Sequence, residues 1–119
     1  MNKEGIKADD GKLNLEILML HFPNSLEGVA RWCNYGAEKY NESVEIMNWS
    51  KVKNPVSRYR KALLRHLFAW FKGEFIDKES GLPHMTACIW NLLVLTEFLV
   101  YDKPQNNDVE FVSNINIPK

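Results

Sequence analysis

Two stretches of helical length, residues 55–72 and 84–101, are apolar over most of their surface and are separated only by GEFIDKESGLP. So short a connection folds the second stretch back beside the first, giving an antiparallel helical hairpin. Asn54-Pro55 supplies an N-cap and a proline at the first helical position, and Gly73 is a stop signal at the far end. A helix apolar nearly all round belongs at the centre of a bundle, so residues 55–72 are expected to be the central helix. Upstream, Asn24-Ser25-Leu26-Glu27 has the form of a capping box. Leu26, Val29, Ala30, Cys33, Ala37 and Tyr40 then recur at helical spacing and predict a helix over 25–40. The fold class is therefore all-α, a small helical bundle with a central apolar helix.

The remaining segments are less regular. Asp9-Asp10-Gly11-Lys12 is a turn signal, and the LNLEILML after it fits a strand start or a short helix. It is expected to act as a short N-terminal lid or strap. Residues 41–53 read as loop apart from Met47 and Trp49. Residues 102–119 are rich in Asn and Asp and contain VEFVSNINI, which suits an irregular tail or an arm on a partner subunit. The organisation is one domain over 1–101 and a tail over 102–119. A chain of 119 residues has little mass with which to cover a central apolar helix, so a homo-oligomer is expected.

Charge narrows the partners. Lys plus Arg and Asp plus Glu number 15 each, whereas a binder of nucleic acid polymers carries a basic excess. A local basic patch for one small anion remains compatible with this balance. Cys33 and Cys88 lie in helical stretches without a CxxC partner and read as buried free thiols of a reducing cytoplasm. The polar MNKEGIKADDGK is not a secretory signal. The longest apolar run, 89–100, is broken by Asn91, Thr96 and Glu97 and is too short to span a bilayer. A cytoplasmic protein without a membrane partner is expected.

The polar residues of the hairpin suggest a pocket. Tyr59, Leu63, His66 and Trp70 share one stripe of the first helix, and His84, Ala87 and Asn91 share one stripe of the second. His66 precedes Gly73 by as many residues as Asn91 follows His84, so both are expected roughly 10 Å below the turn. Glu74, Asp77, Glu79 and His84 would then line the rim. A histidine or asparagine in a bundle core also serves when merely bonded to backbone, and acids in a loop when merely solvated. Their coincidence on one side of one hairpin favours a site. Arg58, Lys61, Arg65 and Lys72 run along the first helix, either as its solvated side or as phosphate-binding charge beside the acids. Carboxylates that hold a divalent cation next to bases that hold phosphate oxygens are what nucleotide chemistry requires.

An ordered set of motifs carries a family resemblance. Gly36-Ala37-x-Lys39-Tyr40, Asn48-Trp49, Arg65-His66-x-x-Ala69-Trp70-x-x-Gly73-Glu74, Asp77-x-Glu79-Ser80-Gly81-x-x-His84 and Asn91 follow one another, with Asp10-Gly11-Lys12 ahead of them. From about Asp10 to Tyr101 the chain resembles the dATP/dGTP diphosphohydrolase (N-terminal domain) family found largely in bacteriophages. The resemblance implies an α-helical pyrophosphohydrolase that converts dATP or dGTP to monophosphate and pyrophosphate with a divalent metal, Mg²⁺ or Mn²⁺. On the enzyme reading, Glu74, Asp77 and Glu79 are expected to hold the metal with help from His66 or His84, and His66, Glu74 and His84 are expected to be catalytic. Lys12, Lys39 and Arg65 would neutralise phosphate charge, Tyr40 or Trp49 would stack on the purine, and Asn91 would read an edge of it. One position departs. The family pattern has a second histidine three residues after the one matching His84, and here Ala87 stands there. A nucleotide- or nucleotide-signal-sequestering protein on the same fold is therefore the alternative, and a phage interaction protein with a fossil pocket is a third reading. Glu42-x-x-Glu45 and Glu74-x-x-Asp77 imitate the spacing of helical MazG-like pyrophosphohydrolases, but both are expected in loops, where that spacing does not converge on a metal. No P-loop, GxSxG or Cys–His nucleophile signature occurs.

Overall fold

The computed structural model of the chain describes residues 3–41 and 47–101. The elements are α1 (Glu16–His21), α2 (Pro23–Lys39), a single 3₁₀ turn (Asn48–Lys51), α3 (Pro55–Phe71) and α4 (His84–Leu99), with no strand among the described residues. The fold is all-α, as the periodicity predicted. α2 starts earlier than the expected capping box. Pro23 takes the first helical position behind Phe22, no side chain caps the end, and Glu27 instead pairs with Arg31 at 2.7 Å. A proline at the first position lacks one of the N–H groups left unbonded at a helix start, and its fixed φ suits the helix. α3 opens at Pro55 as predicted, with Asn54 in left-handed backbone (φ 51°) rather than as a side-chain cap. α4 stops at Leu99, short of Tyr101.

The central helix is α4, which corrects the assignment of that place to α3. α4 buries His84, Ala87, Cys88, Asn91, Val94, Leu95 and Phe98, whereas α3 fully buries only Pro55 and Val56. The reason lies in their charges. α3 carries Arg58, Arg60, Lys61 and Arg65, whose ions need water, while Glu97 is the single charged residue of α4. α4 is therefore the helix against which both α3 and α2 pack. The hydrophobic core, Val56, Val94, Leu95 and Phe98, lies toward the start of α3 and the end of α4, with Tyr59, Leu63 and Trp90 around it. Trp49 of the 3₁₀ turn closes this end with its ring edge-on to Phe98 at 5.9 Å.

α2 meets α4 at its N-terminal turn. Gly28 faces Thr86, and the Trp32 indole N–H is shared between the carbonyl of Pro83 at 2.9 Å and Thr86 Oγ1 at 3.0 Å. α1 packs on α2 and buries none of its own residues. No described helix is long and apolar enough to cross a membrane. The tail with VEFVSNINI, and the Glu42–Glu45 pair, lie outside the described residues. The cysteines are free thiols, Cys88 buried and Cys33 half-buried.

Candidate functional site

The connection between α3 and α4 is a folded unit. α3 ends with Gly73 at φ 100°, the Gly73 N–H bonded to Trp70 O at 2.9 Å and the Glu74 N–H to Ala69 O at 3.0 Å. This is the Schellman arrangement that glycine permits. Residues 76–83 then form a small hairpin of their own. Ile76 and Pro83 make an antiparallel bridge, the Asp77 N–H reaches Leu82 O at 2.8 Å, and the Gly81 N–H reaches Asp77 O at 2.8 Å. Inside it, Asp77 Oδ2 accepts the Ser80 N–H at 2.9 Å and the Ser80 hydroxyl at 2.6 Å, so the carboxylate is fixed from behind.

This small hairpin sets the register of α4. His84 begins the helix with its N–H on Phe75 O at 2.9 Å, and its ring is buried. His66 on α3 meets it with 2.8 Å between the two Nδ1 atoms. One stretch further along, the Cys88 thiol faces Leu63 O at 3.8 Å, in the same antiparallel register. The expectation that His66 would lie level with Asn91 is thus corrected. The turn doubles back instead of crossing flat, so α4 starts beside His66 and Asn91 lies about two turns deeper. Asn91 donates its amide to Ala87 O at 2.8 Å.

The three acids do not converge on one another, contrary to the expected Glu74–Asp77–Glu79 metal set. Glu74 Oε1 stands 3.3 Å from His84 Nε2, and Glu79 forms an ion pair with Lys39 of α2 at 2.9 Å. The set whose donor atoms lie together, all within 4.8 Å of one another, is His66, Asp77 and His84. Two imidazole nitrogens and a carboxylate are a donor set that suits a divalent cation. Burial, then the neighbouring His84, pushes the His66 pKa below the ordinary imidazole value, which keeps the ring neutral. Burial alone would raise Asp77, but the two Ser80 hydrogen bonds and the nearby histidines outweigh it and hold the carboxyl below its usual range. Lys39 is raised chiefly by its bond to Glu79, and Glu79 is lowered by the same bond.

A cavity of about 410 Å³ opens beside this cluster, lined by Trp32, Tyr35, Lys39, Tyr40, Arg65, His66, Asp77, Glu79, His84 and Asn91 among others. An adjoining cavity of about 380 Å³ shares Tyr40 and Arg65 and adds Arg58 and Tyr59. A third, of about 160 Å³, shares Tyr40 and Trp90 and is walled by Trp49. Of the predicted residues, Lys39, Tyr40, Arg65, His66, Asp77, Glu79, His84 and Asn91 line the main cavity, and Trp49 lines the smallest. Glu74 acts behind His84. Lys12 lies on the exposed N-terminal segment, and among the described residues none before Trp32 lines the main cavity, so the expected strap does not cover it. Ala87, where the departure from the family pattern stands, is fully buried and does not line the cavity.

Sequence reading missed Trp32, which packs edge-on against His66 with ring centroids 5.2 Å apart. Its signal was available: Trp32 follows Val29 at helical spacing, and the indole of a buried tryptophan needs an acceptor. Tyr35 was missed as well, although it precedes Lys39 by one helical turn on the same face.

No curated protein and no solved structure matches the chain. A family model described as dATP/dGTP diphosphohydrolase, N-terminal, matches residues 2–108, which takes in every element and the whole His–Asp–His cluster. On that match the chain belongs to the dATP/dGTP diphosphohydrolase, N-terminal, family.

Proposed function

We propose that the chain is a purine deoxynucleoside triphosphate pyrophosphohydrolase that cleaves dATP or dGTP to the monophosphate and pyrophosphate. The observation that carries this reading is the polarity of the cavity. Its first end, at the turn, gathers two histidines and a carboxylate beside Lys39 and Arg65; its second carries the rings of Tyr40 and Trp90, which it shares with the small cavity walled by Trp49. A triphosphate fits the first end and a base the second. Lys39 and Arg65 hold phosphate oxygens, with Arg65 suited to two oxygens at once. Tyr40 and Trp49 stack on the purine, and Asn91 offers its amide carbonyl to an edge of it.

In the reaction, a water oxygen bonds to phosphorus of the anhydride, the bridging P–O bond breaks, and pyrophosphate leaves with the bridging oxygen. His66, Asp77 and His84 would hold a divalent cation, which would supply Lewis-acid stabilisation of the phosphate charge and acidify water. The chain's own basic residues orient the substrate, and Trp32 excludes solvent from one side of His66. Lys39, already paired with Glu79, is held where the phosphates enter.

The test is incubation of the full chain with purine and pyrimidine nucleotides in the presence of Mg²⁺ or Mn²⁺, followed by chromatography. Monophosphate and pyrophosphate in equal amounts from dATP and dGTP, lost in His66→Ala, support the reading. Intact nucleotide released only on denaturing the protein overturns it. That outcome supports the sequestering alternative.

The active form in this reading is a homo-oligomer. Leu64, Leu67, Phe68 and Phe71 form an exposed stripe along α3, and Leu92 and Leu93 are half-exposed on α4. Apolar faces of this extent call for a partner surface, and a second copy supplies one. Light scattering that finds a monodisperse monomer at micromolar concentration overturns this part.

A further inference from the structure

The donor set says more about the cation than that it is divalent. We infer that His66, Asp77 and His84 form a site for a first-row transition ion, Mn²⁺, Co²⁺ or Zn²⁺ in kind, that Mg²⁺ does not fill, and that Glu74 is a positioning residue that orients His84 from behind. This rests on the reading of the cavity as a cation-assisted phosphate site, and it names the class of ion and the manner of holding it.

Two observations carry the inference. The first is the facing of like atoms. Both histidines present Nδ1, and these lie 2.8 Å apart. Two bare imidazole nitrogens repel, so one must carry a proton or both must share a cation. Two nitrogens on one ion, at bonds of ~2.1 Å, stand about 3.0–3.4 Å apart, so widening the 2.8 Å contact by a few tenths of an ångström accommodates the ion. Mg²⁺ is poorly served by such a pair, because it demands oxygen donors and gives up its waters reluctantly. Imidazole nitrogen favours the later transition ions, and the carboxylate of Asp77 keeps Mn²⁺ in the set.

The second observation is the support behind each donor. His84 Nε2 faces Glu74 Oε1 at 3.3 Å, so a proton on this nitrogen donates to the carboxylate and leaves the Nδ1 lone pair facing forward. A carboxylate behind a histidine in this way fixes the tautomer and ring angle of a metal ligand. Asp77 is likewise held from behind, by the Ser80 N–H and hydroxyl on its Oδ2. Glu79 has a different partner in Lys39, so it is not a member of the donor set.

The experiment is metal binding by the chelator-stripped full chain, read without turnover. Co²⁺ is titrated by its visible absorption and by calorimetry, and Zn²⁺, Mn²⁺ and Mg²⁺ then compete for it. One Co²⁺ per chain is expected, displaced by stoichiometric Zn²⁺ and retained in a large excess of Mg²⁺. His66→Ala and Asp77→Asn lose the absorption band, with helical circular dichroism unchanged to show that they fold. Glu79→Gln binds as wild type. Glu74→Ala weakens Co²⁺ by about 10–100-fold and shifts the band, whereas Glu74→Gln, which still accepts from Nε2–H, restores most of the affinity. Mg²⁺ competing as well as Zn²⁺ overturns the assignment of the ion. Loss of the band in Glu74→Gln equal to that in His66→Ala overturns the role given to Glu74. Co²⁺ bound as described with dATP and dGTP left intact keeps this inference and overturns the hydrolytic reading instead.

Discussion

Gly28→Ala measures how closely α2 is held against α4. An alanine Cβ at position 28 would lie 2.6 Å from Thr86 Cγ2 and 3.3 Å from Thr86 Cβ. Thr86 has little room to yield. Its hydroxyl donates to Pro83 O at 3.0 Å and accepts the Trp32 indole N–H at 3.0 Å, and a β-branched residue in a helix has few other rotamers. Forcing one methyl into such a contact costs about 1–3 kcal/mol. Replacing glycine by alanine inside a helix offsets about 1 kcal/mol of that. The net expectation is a loss of up to about 2 kcal/mol, several degrees in Tm for a domain of this size. The sign should reverse in a Thr86→Ala background, where Cγ2 is gone, only the milder 3.3 Å contact to Cβ is left and the helix-propensity gain of about 1 kcal/mol outweighs it. Urea denaturation of the four proteins of this double-mutant cycle should give a coupling of about 1–3 kcal/mol. Stabilisation by Gly28→Ala in both backgrounds would refute the close approach of α2 to α4, and with it the placement of Trp32 against His66.

The thiols should separate cleanly. Burial pushes the Cys88 thiol up, so a thiol reagent should label Cys33 in the native protein and Cys88 only after unfolding, and equal rates on native protein would contradict the packing. Burial also pushes the Tyr59 phenol from 10.0 up to about 12. Because the folded state then binds its proton more tightly, the stability this group contributes is complete below pH 10 and lost as pH rises through 12. Tyr59→Phe should flatten that part of the stability profile, and an unchanged profile would refute the shift. Lys39→Met should leave Tm close to wild type, since its pair with Glu79 is solvent-exposed. It should weaken nucleoside triphosphate binding by roughly tenfold or more, the loss of one charge-assisted phosphate contact. A large fall in Tm with unchanged affinity in calorimetry would show that Lys39 is structural.

The helices were legible because their signals are local. Pro55 and Gly73 bracket α3 where they should, and the hairpin follows from a connection too short for anything else. The pairing of His66 with His84 was not legible, because it depends on hydrogen bonds inside residues 76–83 that fold the turn back on itself. Counting residues from the turn assumed a flat crossover. The fate of Glu79 was hidden for another reason: its partner Lys39 lies on a different helix, and no spacing rule reaches that far. The exchange of α3 and α4 as the central helix came from weighing apolar residues without weighing the four fixed charges of α3 against them. Asp77 is expected in a set with Glu74 and Glu79, yet its neighbours in the structure are imidazoles and not the acids adjacent in sequence.

The shortness of the hairpin has a consequence for the order in which the molecule is made. His66 and His84 are separated by only 18 positions, so bringing them together closes a small loop at little entropic expense. Trp32 reaches Pro83 and Thr86 across 51 and 54 positions and must wait for α2 to dock. Contacts between near neighbours form early, and distant ones form late. By that rule the wall formed by His66 and His84 should be native before Trp32 docks, and a ligand that bridges the two histidines should change the rate at which the chain folds as well as the rate at which it comes apart.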